Sequence, residues 1–179
     1  AKYLYDSGIA RREKIAVDTL SGVKRVDVLV EKGAAVGARC DMGRVSWDDR
    51  DVSVEAAGWA WSLRRVDVGS KHAVALLPAQ PSDELFFSAG PLLERADAFP
   101  DRANIEFVTR AGEDRLNMRV WERGSGETLA CGTGATAAFV AASIAGWVGR
   151  RAAVLLRGGE LAIEWGADDH AIMEGPAAL

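Results

Sequence analysis

The sequence predicts an α+β fold in which strands are arranged around one central buried helix, in two repeated units of which the first is truncated. Three observations lead there. From Thr128 to Gly149 the chain carries no charged residue, and the centre of this run is mostly Ala with single Phe139, Val140, Ile144 and Trp147. A helix of that composition is apolar on nearly every face and belongs inside a protein. Around it lie short segments rich in branched residues and separated by Gly-containing turns, which read as strands and hairpins. Finally, the order helix end, Gly8, strand, turn at Gly22, strand recurs as helix end, Gly146, strand, turn at Gly158-Gly159, strand, with nearly the same spacings.

Taken in order, Ala1 to Asp6 is helix-like and is stopped by Ser7-Gly8. Strands follow over Lys14 to Leu20 and Lys24 to Val30, joined through Ser21-Gly22, and Lys32-Gly33 marks a boundary. Val36 to Met42 and Ala60 to Val68 are strands bracketing a polar connection, and Ala73 to Leu77 is a short strand. Asp83 to Ala98 reads as largely helical, with Pro91 near a first turn after Ser88 and Phe99-Pro100 as its end. Ile105 to Thr109 and Arg115 to Glu122 alternate as strands around a turn at residues 111–114. Beyond the central helix, Ala152 to Leu156 and Glu160 to Trp165 form another hairpin.

The 179 residues, 49% apolar and 27% charged, suffice for one large domain or two small ones with a real core. A net charge of −4 and dispersed basic pairs argue against nucleic acid and membrane surfaces as partners. A membrane-spanning reading of the apolar run is set aside, because it is poor in Leu, Ile and Val and opens with Cys131-Gly132-Thr133-Gly134 beside Glu122, Arg123 and Glu127. Cys40 and Cys131 are too few for a disulfide framework, so free thiols in the cytoplasm are expected.

Cys131 is the leading candidate for chemistry. A thiol at a helix start is exposed to the positive dipole end and to backbone amides, which lowers its pKa toward neutrality and makes it a usable base or nucleophile. A buried, merely packed cysteine is the competing reading, and Cys40, inside an apolar strand, is assigned to it. The glycines at 132 and 134 with Thr133 favour function at Cys131, as amides cradling a carboxylate. A dinucleotide site is disfavoured, because no strand runs directly into Gly132 and residues 150–158 hold no acid. Glu122 and Arg123 read either as a surface pair or as a clamp for a zwitterion. His72, after a tight turn, reads either as a proton carrier or as a capped loop residue, and His170 falls in an exposed turn. No His, Cys or acid cluster has metal-ligand spacing, so no metal is expected.

At these residues the sequence resembles diaminopimelate epimerase. The long match is ERGSGETLACGTGATAA, residues 122–138, supported by Asp41-Met42-Gly43, Gly90-Pro91-Leu92-Leu93-Glu94, Asn104-Ile105-Glu106-Phe107-Val108, Arg157-Gly158-Gly159, Ile163-Glu164-Trp165 and Gly175-Pro176-Ala177. The resemblance implies an isomerase that needs no cofactor, built of two similar units, each wrapping a mixed sheet or barrel around a helix. It further implies substrate held between them and one cysteine from each on opposite faces of the substrate α-carbon, with a homodimer when complete. It implies Cys131 as the second catalytic cysteine, His72 and Glu122 as residues tuning the thiols, and Ser70, Asn104, Glu122, Arg123, Gly132 and Thr133 as substrate contacts. The family's Cys-Gly-Asn-Gly segment has no match here. AKYLYDSG is similar to the family's residues just beyond that segment, and the repeat places a counterpart of Cys131 upstream of residue 1. Gly69-Ser70-Lys71-His72 stands where the family usually has Gly-Asn-Pro-His.

The expected organisation is a remnant of the first epimerase domain over 1–31, the second domain over 32–176, and a truncated return segment over 177–179. The expected function is interconversion of LL- and meso-diaminopimelate by two-base proton transfer in lysine and peptidoglycan biosynthesis. A chain with one of the two thiols should be inactive alone. Competing readings are a related isomerase or racemase with another substrate, a cysteine hydrolase using Cys131 with His72, and a non-catalytic fragment that only binds.

Overall fold

The computed structural model describes residues 1–19 and 22–177. The ends of the first predicted strand and of the return segment, and half of the Ser21-Gly22 turn, thus lie outside the described residues. The chain runs α1 (Lys2–Asp6), β1 (Lys14–Thr19), β2 (Gly22–Glu31), β3 (Ala34–Arg44), β4 (Ser46–Trp47), β5 (Val52–Ala56), β6 (Trp59–Asp67) and β7 (Lys71–Leu76). It continues through α2 (Asp83–Glu94), β8 (Asn104–Gly112), β9 (Arg115–Glu122), β10 (Gly126–Glu127), α3 (Gly132–Ile144), β11 (Arg151–Leu156), β12 (Gly159–Trp165) and β13 (His170–Pro176). The result is a mostly-sheet α+β fold with few helices.

One mixed sheet carries the strands in the order β1-β2-β3-β13-β12-β11-β9-β8-β7-β6-β4, with β10 paired to β9 and β5 to β6. The path is open rather than closed into a barrel. Outward from the antiparallel β3–β13 pair the order is symmetric, β3-β2-β1 on one side and β13-β12-β11 on the other. Gly8 and Gly146 hold equivalent places after their helices, both in the left-handed region at φ 76° and 71°, where glycine bears no Cβ penalty.

Lys32-Gly33 is a two-residue turn, with φ 49° and 82°, joining β2 to β3. Several element bounds differ from the sequence expectation. The polar connection after β3 contains β5, whose Val52, Val54 and Ala56 alternate and pair with β6. Helix α2 starts at an N-cap, Ser82, whose side chain accepts from Leu85 N–H, with Asp83 and Glu84 in the first turn. It ends at Glu94, not Ala98, and Pro91 lies within it. β13 was not expected; its Ala171 is buried, and it joins β12 to β3.

Helix α3 is buried at every position from Gly134 to Ala142. Its small residues let the surrounding strands approach closely enough to exclude water. It packs on one face of the central strands, with Val74, Val108, Leu116, Met118 and Val120. On the other face α2 packs with Ala73, Ala75, Ile105 and Phe107. β7, β8 and β9 therefore alternate between two cores, as a period of two requires. Among the described residues no helix is long and apolar enough to cross a membrane.

Candidate active site

The α3-facing rows of the central strands change character along their length. β7 presents His72 and Val74, β8 presents Glu106 and Val108, and β9 presents Met118, Val120 and, at its end, Glu122. The apolar ends lie along the body of α3, and the polar ends gather where α3 begins.

Cys131 is the N-cap of α3, in extended conformation, and its Sγ accepts the Gly134 N–H at 3.3 Å. Thr133 Oγ1 lies 3.6 Å from the same sulfur. Helical geometry leaves the first N–H groups, at Gly132 and Thr133, without intrahelical acceptors, and both residues are half-buried.

The expected lowering of the Cys131 pKa is overturned. Cys131 is only 8% exposed. Burial pushes its thiol up to about 11, the hydrogen bonds from Thr133 and Gly134 pull the other way, and the Glu106 and Glu122 carboxylates add to the rise. Loss of solvation outweighs the helix start, so at neutral pH Cys131 carries its proton. Cys40 is half-buried on β3 against the α3 core, and burial raises its thiol too.

His72 is 1% exposed, and both ring nitrogens are engaged. Nδ1 lies 2.6 Å from Glu106 Oε1, and Nε2 lies 2.9 Å from Ser70 Oγ. A hydrolase pairing of His72 with Cys131 is not formed, because neither nitrogen faces the thiol. The Ser70 hydroxyl braces the ring, and Gly69, at φ 82°, shapes the turn through its N–H to Asp67 Oδ1 at 2.8 Å. Lys71 opens β7.

Asn104 ties two parts of the site together. Its Nδ2 donates to Lys71 O at 3.2 Å, and its Oδ1 accepts the Arg123 N–H at 2.9 Å. Arg123 is exposed, with Nη1 on Asp101 O at 2.9 Å, and half-buried Glu122 accepts from the Thr128 hydroxyl. Glu122 and Arg123 thus stand at the end of β9 as expected, but each already has a protein partner. His170 opens β13 instead of lying in a turn, with Nδ1 3.1 Å from Asp41 Oδ1. Among the described residues no three His, Cys, Asp or Glu side chains gather as metal ligands.

Two acids of the site were missed as functional. Glu106 shares its strand face with Asn104, and only that period-two offset could have marked it. Glu94, 2% exposed on α2, accepts the Trp121 Nε1–H at 2.9 Å and the Gly124 N–H at 3.1 Å, anchoring the turn that carries Glu122 and Arg123. Glu94→Gln places an amide N–H₂ against one of two buried donors. The expected cost is about 1–3 kcal/mol, read from the urea midpoint, and a midpoint equal to wild type would remove Glu94 as the anchor.

Comparison with known proteins places this geometry in a lineage. The family model described as diaminopimelate epimerase matches residues 64–179. The diaminopimelate epimerase of Pelotomaculum thermopropionicum is 40% identical over 99% of this chain, which spans 67% of that relative. That of Moorella thermoacetica is 37% identical, again over 99% of this chain and 68% of the relative. Among solved structures, a probable proline racemase from Agrobacterium radiobacter superposes with a TM-score of 0.74 at 17% identity, covering 99% of this chain and 64% of that one. A hydroxyproline epimerase from Agrobacterium vitis gives 0.75 at 15% identity, covering 98% and 60%. At such identities the structures share the fold.

Proposed function

The chain belongs to the diaminopimelate epimerase family, and we propose that it supplies the Cys131 side of an isomerase that interconverts LL- and meso-diaminopimelate by two-base proton transfer. The observation that carries this is Cys131 at the start of α3, its sulfur on the Gly134 amide and ringed by Glu106, Glu122 and Thr133. In this reading residues 1–31 belong to the first unit and 32–176 to the second. The thiol for the opposite face comes from a part of the family's chain that these 179 residues do not span, and the complete enzyme is a cytoplasmic homodimer.

The chemistry follows from the protonation state. The opposing thiolate takes the α-proton, breaking the Cα–H bond, while the Cys131 S–H delivers its proton to the other face of Cα. Cys131 is left as a thiolate, accepting from Gly134 N–H at the positive end of α3. The free N–H groups of Gly132 and Thr133 hold the substrate carboxylate, where charge accumulates in the carbanionic intermediate. Arg123 pairs with a substrate carboxylate and Glu122 with the ammonium, once they exchange Asp101 and Thr128 for substrate. Asn104 closes on the substrate from the neighbouring strand. Ser70 serves by bracing His72.

The test is α-proton exchange of diaminopimelate in deuterated water followed by NMR. It uses the chain as it stands and the chain extended by a front segment bearing Cys-Gly-Asn-Gly. Exchange with inversion only in the extended protein is expected. Absence of exchange in both, with folding confirmed, sends the assignment to another substrate or to binding alone.

A further inference from the structure

Glu106 is 0% exposed in the middle of a β-strand, an uncommon place for a carboxylate. Its Oε1 receives His72 Nδ1 at 2.6 Å, while its Oε2, equally buried, has no protein partner. A Cβ built on Gly134 would lie 2.8 Å from Glu106 Oε1 and 3.1 Å from Cys131 Sγ. The absence of a side chain at Gly134 therefore lets this carboxylate and the thiol approach a single point at the start of α3. Burying a half-satisfied carboxylate there costs stability. Packing alone would be served better by a residue such as Val108, two positions along the same row.

We propose that Glu106 is a positioning residue for Cys131: its buried carboxylate, held by His72, keeps the Cys131 sulfur in the protonated, proton-donating form and so fixes which of the two thiols of the pair rests as acid. The cause is electrostatic. A thiolate on Cys131 and a carboxylate on Glu106 would share one water-excluded neighbourhood, and two like charges at that range oppose each other. Burial raises the Glu106 carboxyl and His72 pulls it back down; a carboxyl is still a far stronger acid than a thiol that burial has also raised, so it ionises first. An ionised carboxylate can only accept, which puts the ring proton on Nδ1; the Ser70 hydroxyl, 2.9 Å from Nε2, is then free to donate to that nitrogen. The chain Ser70, His72, Glu106 thus holds one negative charge beside the sulfur.

The titratable groups around Cys131 are few. Glu106 comes from β8 and Glu122 from β9, while His72 of β7 acts through Glu106. The first turn of α3 carries no charge, and β13 presents Met173 beside Gly132. Glu122 is half-exposed and already receives the Thr128 hydroxyl, so solvent and that bond weaken its effect on the sulfur. This inference rests on Cys131 being a proton-transferring thiol, but not on which amino acid is the substrate.

The test needs no turnover. In a Cys40→Ser background Cys131 is the sole thiol, and its alkylation by iodoacetamide is followed against pH. Glu106→Gln is expected to move the midpoint down by about one pH unit or more, raising the rate roughly tenfold at a fixed pH below the midpoint. Glu122→Gln is expected to move it less. An unchanged midpoint in a folded Glu106→Gln variant, or a larger shift from Glu122→Gln, overturns the proposal. If Glu106→Gln fails to fold, the Glu106 carboxyl ¹³C resonance of the unsubstituted Cys131 protein decides. It is expected to step in register with thiol ionisation, and the step is expected to vanish in Cys131→Ser. A resonance flat through that ionisation overturns the proposal equally. Failure here with successful α-proton exchange would remove Glu106 and leave the epimerase reading standing; the reverse would do the opposite.

Discussion

In the front-extended protein, Cys131→Ser is expected to lower α-proton exchange of diaminopimelate by about 10²–10⁴-fold, the range that a positioned general acid or base contributes. Serine is the informative replacement because it separates folding from chemistry. Cys131 caps α3 through a side-chain acceptor for Gly134 N–H, and serine is a preferred residue for that task. The start of α3, the Gly132 and Thr133 amides and the neighbouring strands should all survive. What is lost is a group able to give up a proton and exist as an anion beside the helix N-terminus. NMR of the substrate in deuterated water reads the effect, and circular dichroism confirms the fold. Cys40→Ser provides the contrast: that thiol is half-buried on β3 with its sulfur 3.6 Å from Asp41 O, and exchange should stay at the unsubstituted rate. Exchange in Cys131→Ser within about tenfold of wild type, short of the general acid–base range, would remove Cys131 from the reacting groups.

The sequence made the position of Cys131 legible but not its acidity. An uncharged Ala-rich run preceded by glycines gives the start of α3, and the Gly8 and Gly146 spacing gives the mirrored halves of the sheet. Burial is a property of what closes over the thiol, and strands distant in the chain do so. The helix effect, argued locally, therefore pointed the wrong way. Glu106 was hidden for a related reason. In Asn104-Ile105-Glu106-Phe107-Val108 a strand alternation reads Glu106 as solvent-facing, because Ile105 and Phe107 supply the apolar row. The strand is buried on both faces, by α2 on one and α3 on the other, so the polar row also points inward. β5 was missed because it sits in a polar stretch and only its Ala56 is fully buried, and β13 because its β3 partner is far away in the chain. The start of α2 at Asp83 was legible, and its cap, Ser82, was available from Ser82-Asp83-Glu84.

Phe139→Ala is expected to destabilise the chain by about 3–5 kcal/mol, a fifth or more of a stability of roughly 5–15 kcal/mol. Phe139 is fully buried and shares the α3 core with Val74, Val108, Leu116, Met118, Val120, Val154 and Ile163. In a helix composed mostly of Ala and Gly it is the largest side chain, beside the smaller Val140. Collapse of the site is restricted, because the strands around it are fixed by ladder hydrogen bonds on both edges, so most of the cavity should persist. The urea midpoint reads the loss, and Leu92→Ala, at an exposed position of α2, should stay within about 0.5 kcal/mol of wild type. Because Cys131 caps the same helix, loosening α3 should also expose the sulfur, and alkylation at neutral pH should rise together with the loss of stability. A loss below about 1 kcal/mol, well under the usual cost of such a truncation, would mean that the strands close onto α3 after all, and that the helix is not held as rigidly as its burial indicates.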